Sequence, residues 1–169
     1  MIDLEEEFSE NGNIPKNDDK KKAFAYAAKT IGMKSFSEYE LRKKLAGRNF
    51  SDEAAEYAIT RLKELHLIDD AQYAADIANH YKIRGYGKGR VRQELFRRGI
   101  ARDVAEDILD NEDNDDEEEE DFINKFIAKR LAGRDVDREM LSKTAAALMR
   151  RGFTWERISS AIRKYTDEL

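Results

Sequence analysis

Apolar residues recur along this chain at helical spacing, in three successive rounds. Phe24, Ala27, Ala28 and Ile31 form an i, i+3, i+4, i+7 stripe, which predicts a helix beginning near Lys20. Ser37-x-x-Glu40 is a capping box that opens a second helix carrying Leu41 and Leu45 and ending around Gly47–Asn49. Ser51 or Asp52 caps a third, with Ala55, Ala58, Ile59, Leu62 and Leu65 on one face. The pattern then restarts at Asp69-Asp70 with Tyr73, Ile77 and Tyr81, breaks at the Gly85–Gly89 turn, and resumes with Val91 and Leu95 before Gly99. Val104, Ala105, Ile108 and Leu109 complete that round. The third round places Phe122, Phe126 and Ile127 on one helix, and Met140, Leu141, Leu148 and Met149 on the next. Ile158, Ala161, Ile162 and Tyr165 fall on the last, behind Thr154 as N-cap, with Trp155 expected to pack.

The rounds superpose without a gap on their second helices. Leu41, Val91 and Thr144 begin the frame, and Leu45, Leu95 and Leu148 stand four residues on. Arg48, Arg98 and Arg151 follow, then Asn49, Gly99 and Gly152, then Phe50, Ile100 and Phe153. Asn and Gly are the residues that tolerate a left-handed helix cap. The expectation is an all-α protein of three tandem three-helix repeats, helix-turn-helix-like, in an elongated, curved array. Each unit is too small to bury a full core alone, so stacking completes it. The expected boundaries are an acidic N-terminal arm at 1–19, repeats at 20–68 and 69–110, an acidic linker at 111–120, and a third repeat at 121–169. The linker is expected to act as a joint.

Composition supports helices, since Val91, Val104 and Val136 are the only valines among 169 residues. There is no cysteine, so thiolate and disulfide chemistry are excluded. No apolar run approaches the roughly 20 residues that span a bilayer, and the acidic start does not resemble a secretory signal, so a cytoplasmic location is expected. The net charge of −5 hides a segregation. Residues 1–10 hold five acids and residues 110–121 hold ten, neither with a base; of 36 acids, 21 remain against 31 bases elsewhere. A basic body suits an anionic partner.

Enzymatic readings find little support. His66 and His80 fall in different rounds without an evident carboxylate partner. Gly85-Tyr86-Gly87-Lys88-Gly89 lacks the spacing of a nucleotide loop and follows a helix, though the helix start it leads into offers amides beside Lys88 and Arg90 as an anion site. No catalytic, metal or cofactor residues are expected. The basic signal is stronger: residues 82–102 carry eight Lys and Arg against Glu94 alone. With Val91 and Leu95 inward, Arg90, Gln93 and Arg97 point outward together. The same helix carries Arg42, Lys43, Lys44 and Arg48 in the first round, and Lys143, Arg150 and Arg151 in the third. Arg84, Lys88, Arg90, Arg97, Arg42, Lys43, Lys143 and Arg150 are the expected binding residues. Phe36 and Tyr86 hold equivalent places, suited to packing or to stacking on bases.

The segment Leu67-Ile68-Asp69-Asp70 with Tyr73, then Arg84-Gly85-Tyr86-Gly87 with Arg90-Val91, Glu94-Leu95 and Arg98-Gly99-Ile100, and finally Arg151-Gly152-Phe153 with Ile158, resembles the RecX family over about residues 20–169. The resemblance implies tandem three-helix repeats and a non-enzymatic, monomeric regulator that binds the RecA–single-stranded-DNA filament. It implies inhibition of RecA strand exchange and ATP hydrolysis, in recombination and the SOS response of DNA repair. Single-stranded DNA would then be met weakly or through the filament. An independent helix-turn-helix-type DNA-binding module is the alternative.

Overall fold

The computed structural model describes residues 16–110, 115–134 and 136–167. Their regular structure is entirely helical: α1 (Lys16–Ile31), α2 (Glu38–Ala46), α3 (Asp52–Glu64), α4 (Asp70–Ile83), α5 (Lys88–Arg97), α6 (Arg102–Asp110), α7 (Asp115–Leu131), α8 (Arg138–Arg150) and α9 (Trp155–Asp167). The helices form two compact units, one ending at Tyr73 and the other beginning at Ala74, so most of the second round shares a unit with the third.

In the first unit, Ala23 and Ala27 of α1 pack with Leu41 and Leu45 of α2 and with Ala58, Ile59 and Leu62 of α3. The inward face of α1 is centred on Ala23, Ala27 and Thr30, one residue earlier than the stripe suggests, and Phe24, Ala28 and Ile31 flank it half-buried. Small side chains at the centre let the helices approach closely, and the aromatic ring covers the margin. The capping box is present, with Glu40 N donating to Ser37 Oγ at 3.1 Å and Ser37 N to Glu40 Oε2 at 3.2 Å. Ser51, not Asp52, caps α3. Leu65 leaves the core face because α3 ends at Glu64: His66 turns left-handed at φ 53° and Leu67 N donates to Leu62 O at 2.8 Å. His66 is therefore a cap residue.

In the second unit the core of the third round is built from Ile123, Ile127 and Leu131 of α7, Ala145 and Leu148 of α8, Phe153, and Ile158 and Ala161 of α9. Phe122 and Phe126 sit at its margin, stacked at 6.2 Å between ring centroids. Trp155 does not pack as expected. It is 58% exposed, at the first position of α9, where its side chain projects before the helix has a buried face.

The shared frame of the three rounds is one hydrogen-bond motif made three times. Asn49, Gly99 and Gly152 all have positive φ, at 60°, 74° and 92°. The next residue closes a bond back to the frame leucine each time: Phe50 N to Leu45 O at 3.3 Å, Ile100 N to Leu95 O at 3.1 Å, and Phe153 N to Leu148 O at 3.4 Å. These bonds satisfy the orphan carbonyls of each second helix, and the apolar residue after the cap folds back onto the core.

The Gly85–Gly89 turn joins the second round to the third. Gly87 N donates to Arg151 O at 2.9 Å, and Gly89 N to Gly152 O at 3.1 Å. Arg151 Nη1 donates to the carbonyls of Gly85 at 2.9 Å and Arg84 at 3.2 Å. A Cβ on Gly85 would run into the Phe122 ring, and one on Gly87 would lie 2.7 Å from Phe153 Cδ1. The cluster of glycines thus allows backbone to meet backbone. The expected acidic linker is also partly helical, because α7 spans Asp115–Leu131.

Gly152 and Gly133 separate two costs. Both have positive φ, but a Cβ at Gly133 meets nothing within 4 Å, whereas one at Gly152 collides with the Arg90 backbone. Urea unfolding is expected to show Gly133→Ala costing about 1 kcal/mol, for conformation alone. Gly152→Ala should cost more than about 3 kcal/mol, because the seam must also open. Equal costs would show that the seam contributes no stability.

Candidate functional site

The basic helix α5 has apolar Val91 and Leu95 inward, as its spacing predicts, and Arg90, Gln93 and Arg97 outward. Glu94 is the surprise. The lone acid of the stretch is only 6% exposed, and it binds two arginines: Arg97 Nη2 at 2.5 Å and Arg98 Nε at 2.8 Å. Hydrogen bonds from Arg97, aided by Arg98, outweigh its burial and hold its carboxyl well below the usual range, at about 2. Arg92 is engaged as well, as a fork on Glu106 at 2.7 to 3.1 Å.

The start of α5 holds an anion, and that anion belongs to the same chain. Lys88 N donates to Glu119 Oε1 at 2.9 Å. With Gly87 N and Gly89 N given to the third round, the amides expected to await a ligand are already used. The acidic first turns of α7 spread over neighbouring cations: Glu118 on Lys82 at 3.0 Å, Asp116 on Lys88 at 3.9 Å and on Arg157, and Glu120 on Lys164 at 3.9 Å.

Beside this clamp an open cleft of about 620 Å³ is lined by Tyr86, Arg90, Phe126, Arg130, Arg150 and Arg151, with Ala147 at its wall. The Arg151 guanidinium lies over three rings, 5.4 Å from Tyr86, 5.5 Å from Phe126 and 5.7 Å from Phe122. Arg130 lies 6.0 Å from Phe126. In the first unit a cleft of about 650 Å³ is lined by Tyr26, Lys29, Lys34, Phe36, Lys44 and Arg48, with Met33 and Thr30. There Arg48 covers Tyr26 at 5.1 Å, and Lys34 and Lys44 cover Phe36 at 4.6 and 4.9 Å.

The expected binding residues therefore divide. Arg90 and Arg150 meet in the second-unit cleft, Arg90 touching Gln93 at 3.3 Å. Arg84 leans on His80 Nε2 at 3.3 Å, and Lys43 covers the Tyr39 ring at 5.0 Å. The other four face carboxylates: Arg42 on Glu38 and Glu56, Lys88 on Asp116, Arg97 on Glu94, and Lys143 on Glu139. Exposed pairs of this kind contribute about 0–1 kcal/mol and exchange partners readily. The Glu94 pairs are different, because the carboxylate is buried. Arg130, Lys29 and Lys34 escaped the sequence reading, because they sit on the first helix or the turn of their rounds, outside the second-helix stripe. The aromatic residue three or four positions before a cation on those helices (Tyr26–Lys29, Phe126–Arg130) was the available signal. Phe36 packs, buried beneath its two lysines, and Tyr86 lies half-buried against Tyr81 at 5.2 Å. Among the described residues no group of three or more His, Asp or Glu is placed to hold a metal.

Two family models match the chain: the first three-helix domain of RecX over residues 23–62 and the second over residues 69–109. The regulatory protein RecX of Chlorobium phaeobacteroides is 32% identical over 152 residues, 89% of this chain and 95% of that relative. That of Clostridium perfringens is 30% identical over 171 residues, 99% of this chain and 77% of the relative. With RecX of Haemophilus influenzae the identity is 33% over 88 residues, so the match spans 58% of that relative's length. The crystal structure of RecX from Lactobacillus salivarius superposes with a TM-score of 0.78 at 24% identity, covering 88% of this chain and 97% of that one. A second RecX crystal structure gives 0.74 at 22% identity, over 88% and 73%. These two likenesses establish the shared fold.

Glu94 carries a pH signature. Its folded carboxyl titrates near 2 and an ordinary Glu near 4.5, so the unfolded chain binds the extra proton between those values. The stabilisation is complete above about pH 4.5 and is lost as pH falls towards 2. Glu94→Gln should cost on the order of 1–3 kcal/mol at pH 7, leaving two arginines without their buried partner. Urea titrations of both proteins at pH 7 and pH 2.5 check this; the difference between them should shrink markedly at the lower pH.

Proposed function

This chain belongs to the RecX family, and on that premise we propose that it is a non-enzymatic regulator that binds the RecA–single-stranded-DNA filament and inhibits RecA recombinase and ATPase activity, acting as a cytoplasmic monomer. The observation that carries this reading is the match to RecX of Chlorobium phaeobacteroides over 95% of that relative's length. The open basic clefts add physical support, because a nucleoprotein filament presents phosphates and protein together. No helix among the described residues is long and apolar enough to cross a membrane.

The alternative, a DNA-binding module independent of RecA, has one structural feature in its favour: both clefts gather cations that would serve on naked DNA equally well. The two readings separate on salt and partner. Titration against single-stranded DNA, RecA and the assembled filament, at two salt concentrations, is expected to show the filament preferred by at least about tenfold. Equal affinity for DNA with and without RecA, with a steep salt dependence, would establish the alternative.

The structure also selects the variants. Arg97→Glu would set a second carboxylate against buried Glu94, so loss of activity would be confounded by loss of fold. Arg90→Glu alters an exposed cleft wall instead. It should weaken inhibition of RecA ATPase severalfold at unchanged helix content; unaltered inhibition by the folded variant would remove Arg90 from the interface.

A further inference from the structure

Arg48, Arg98 and Arg151 occupy one position of the repeat frame, directly before the left-handed cap residue. Four residues earlier stand Lys44, Glu94 and Ala147. That earlier position lies one helical turn below the arginine, on the same face, and so sets its charge environment. In the second round Glu94 bonds Arg98 at 2.8 Å, and the arginine is neutralised internally. In the first round the residue is a cation, and in the third it is a methyl group.

Where the glutamate is missing, the same device is built. The frame arginine lies over an aromatic ring supplied by the first helix of its round: Arg48 over Tyr26 at 5.1 Å, and Arg151 over Phe126 at 5.5 Å. Each pair forms part of a cleft, about 650 Å³ in the first round and about 620 Å³ in the third. Among the described residues no carboxylate lies within ion-pair distance of Lys29, Lys34, Lys44, Arg48, Arg130 or Arg150. This is not for want of acids, since the chain holds 36 against 31 bases.

The rings already carry cations, so they offer no open platform for reading a base. Instead they hold the guanidinium planes in place. Arg151 donates from Nη1 to the carbonyls of Arg84 and Gly85, so in the third round Arg90, Arg130 and Arg150 beside it supply donors for phosphate oxygens. Apolar surface lies between the cations, from Met33, which is 75% exposed, and from Ala147. Alternating charge and apolar patches match a sugar-phosphate chain better than a run of carboxylates. The chain's own acidic run at Asp116–Glu120 pairs with Lys82, Arg157 and Lys164 rather than with these clefts. We infer that the clefts of the first and third rounds are two matched sites for the phosphate backbone of single-stranded nucleic acid, and that Glu94 closes the corresponding site of the second round. The inference rests on the reading above that the partner carries single-stranded DNA.

The test copies the second round's glutamate into the other two. Full-length protein carrying Lys44→Glu, Ala147→Glu, or both is titrated with a fluorescent oligo-dT at three salt concentrations. Each single substitution is expected to weaken binding about fivefold and the pair about thirtyfold, with the log affinity–log salt slope shallower by about two. Arg48→Gln with Arg150→Gln, two exposed positions, should act in the same direction and remains informative if the glutamate variants unfold. Wild-type affinity in that folded pair, or no salt-dependent binding by the wild type, would overturn the assignment. Displacement of the oligonucleotide by polyglutamate at equal charge concentration would overturn it too, in favour of an acidic-peptide site. RecA ATPase is followed with the same proteins. A wild type that binds DNA through the clefts but leaves RecA unaffected refutes the proposed function and keeps the clefts. Inhibition of RecA alongside unchanged DNA binding by the variants refutes the clefts alone.

Discussion

The backbone at Gly152 carries two obligations. It turns left-handed to finish α8, and its carbonyl receives Gly89 N from the start of α5. A side chain there would collide with Arg90. Helix termination in one round and attachment of the neighbouring round are thus solved by a single residue, and the glycines at 85, 87 and 89 are the complementary half of that solution. Arg151 extends it: its side chain caps the carbonyls of Arg84 and Gly85 while its plane rests on Tyr86, Phe122 and Phe126. One arginine links the turn to the aromatic margin of the third-round core.

The charges follow from this arrangement. Cations near the seam meet the acidic start of α7, which supplies Glu119 to the α5 amide and Asp116 to Lys88 and Arg157. At the end of the second helix of the middle round Arg97 and Arg98 bond Glu94, while Arg92 bonds Glu106. What stays open is set by local register, through the residue four before the frame arginine. In the most basic stretch of the sequence Lys82, Lys88, Arg92, Arg97 and Arg98 consequently meet the chain's own carboxylates, whereas Arg90 lines the third-round cleft.

The repeat frame was legible in the sequence because it rests on local rules. Leu45, Asn49 and Phe50 and their counterparts are fixed by a motif closed within six residues, and the helices by apolar period. The fate of Arg97 and Glu94 was not legible. Helical geometry predicted Arg97 outward, correctly, but a residue can point outward and still bond a carboxylate three positions back. The Gly85–Gly89 turn misled for a different reason: an amide that will receive a carbonyl from residue 151 or 152 has the same local sequence as one awaiting a phosphate. Long-range partners of that kind leave no trace in composition or spacing. Trp155 shows the same limit, since bulk and position after a cap suggested packing, whereas 58% of it remains exposed.

The seam has a kinetic side. Its two strands of backbone lie some 66 residues apart, so closing it costs chain entropy on the order of 4 kcal/mol, whereas each helix cap closes over a handful of residues. Closure of the caps is therefore entropically cheap and docking of the glycine turn costly, and the docked turn requires α8 ended at Gly152. The amides of Gly87 and Gly89, although they belong to the middle round, then exchange with solvent at a rate governed by the integrity of the last.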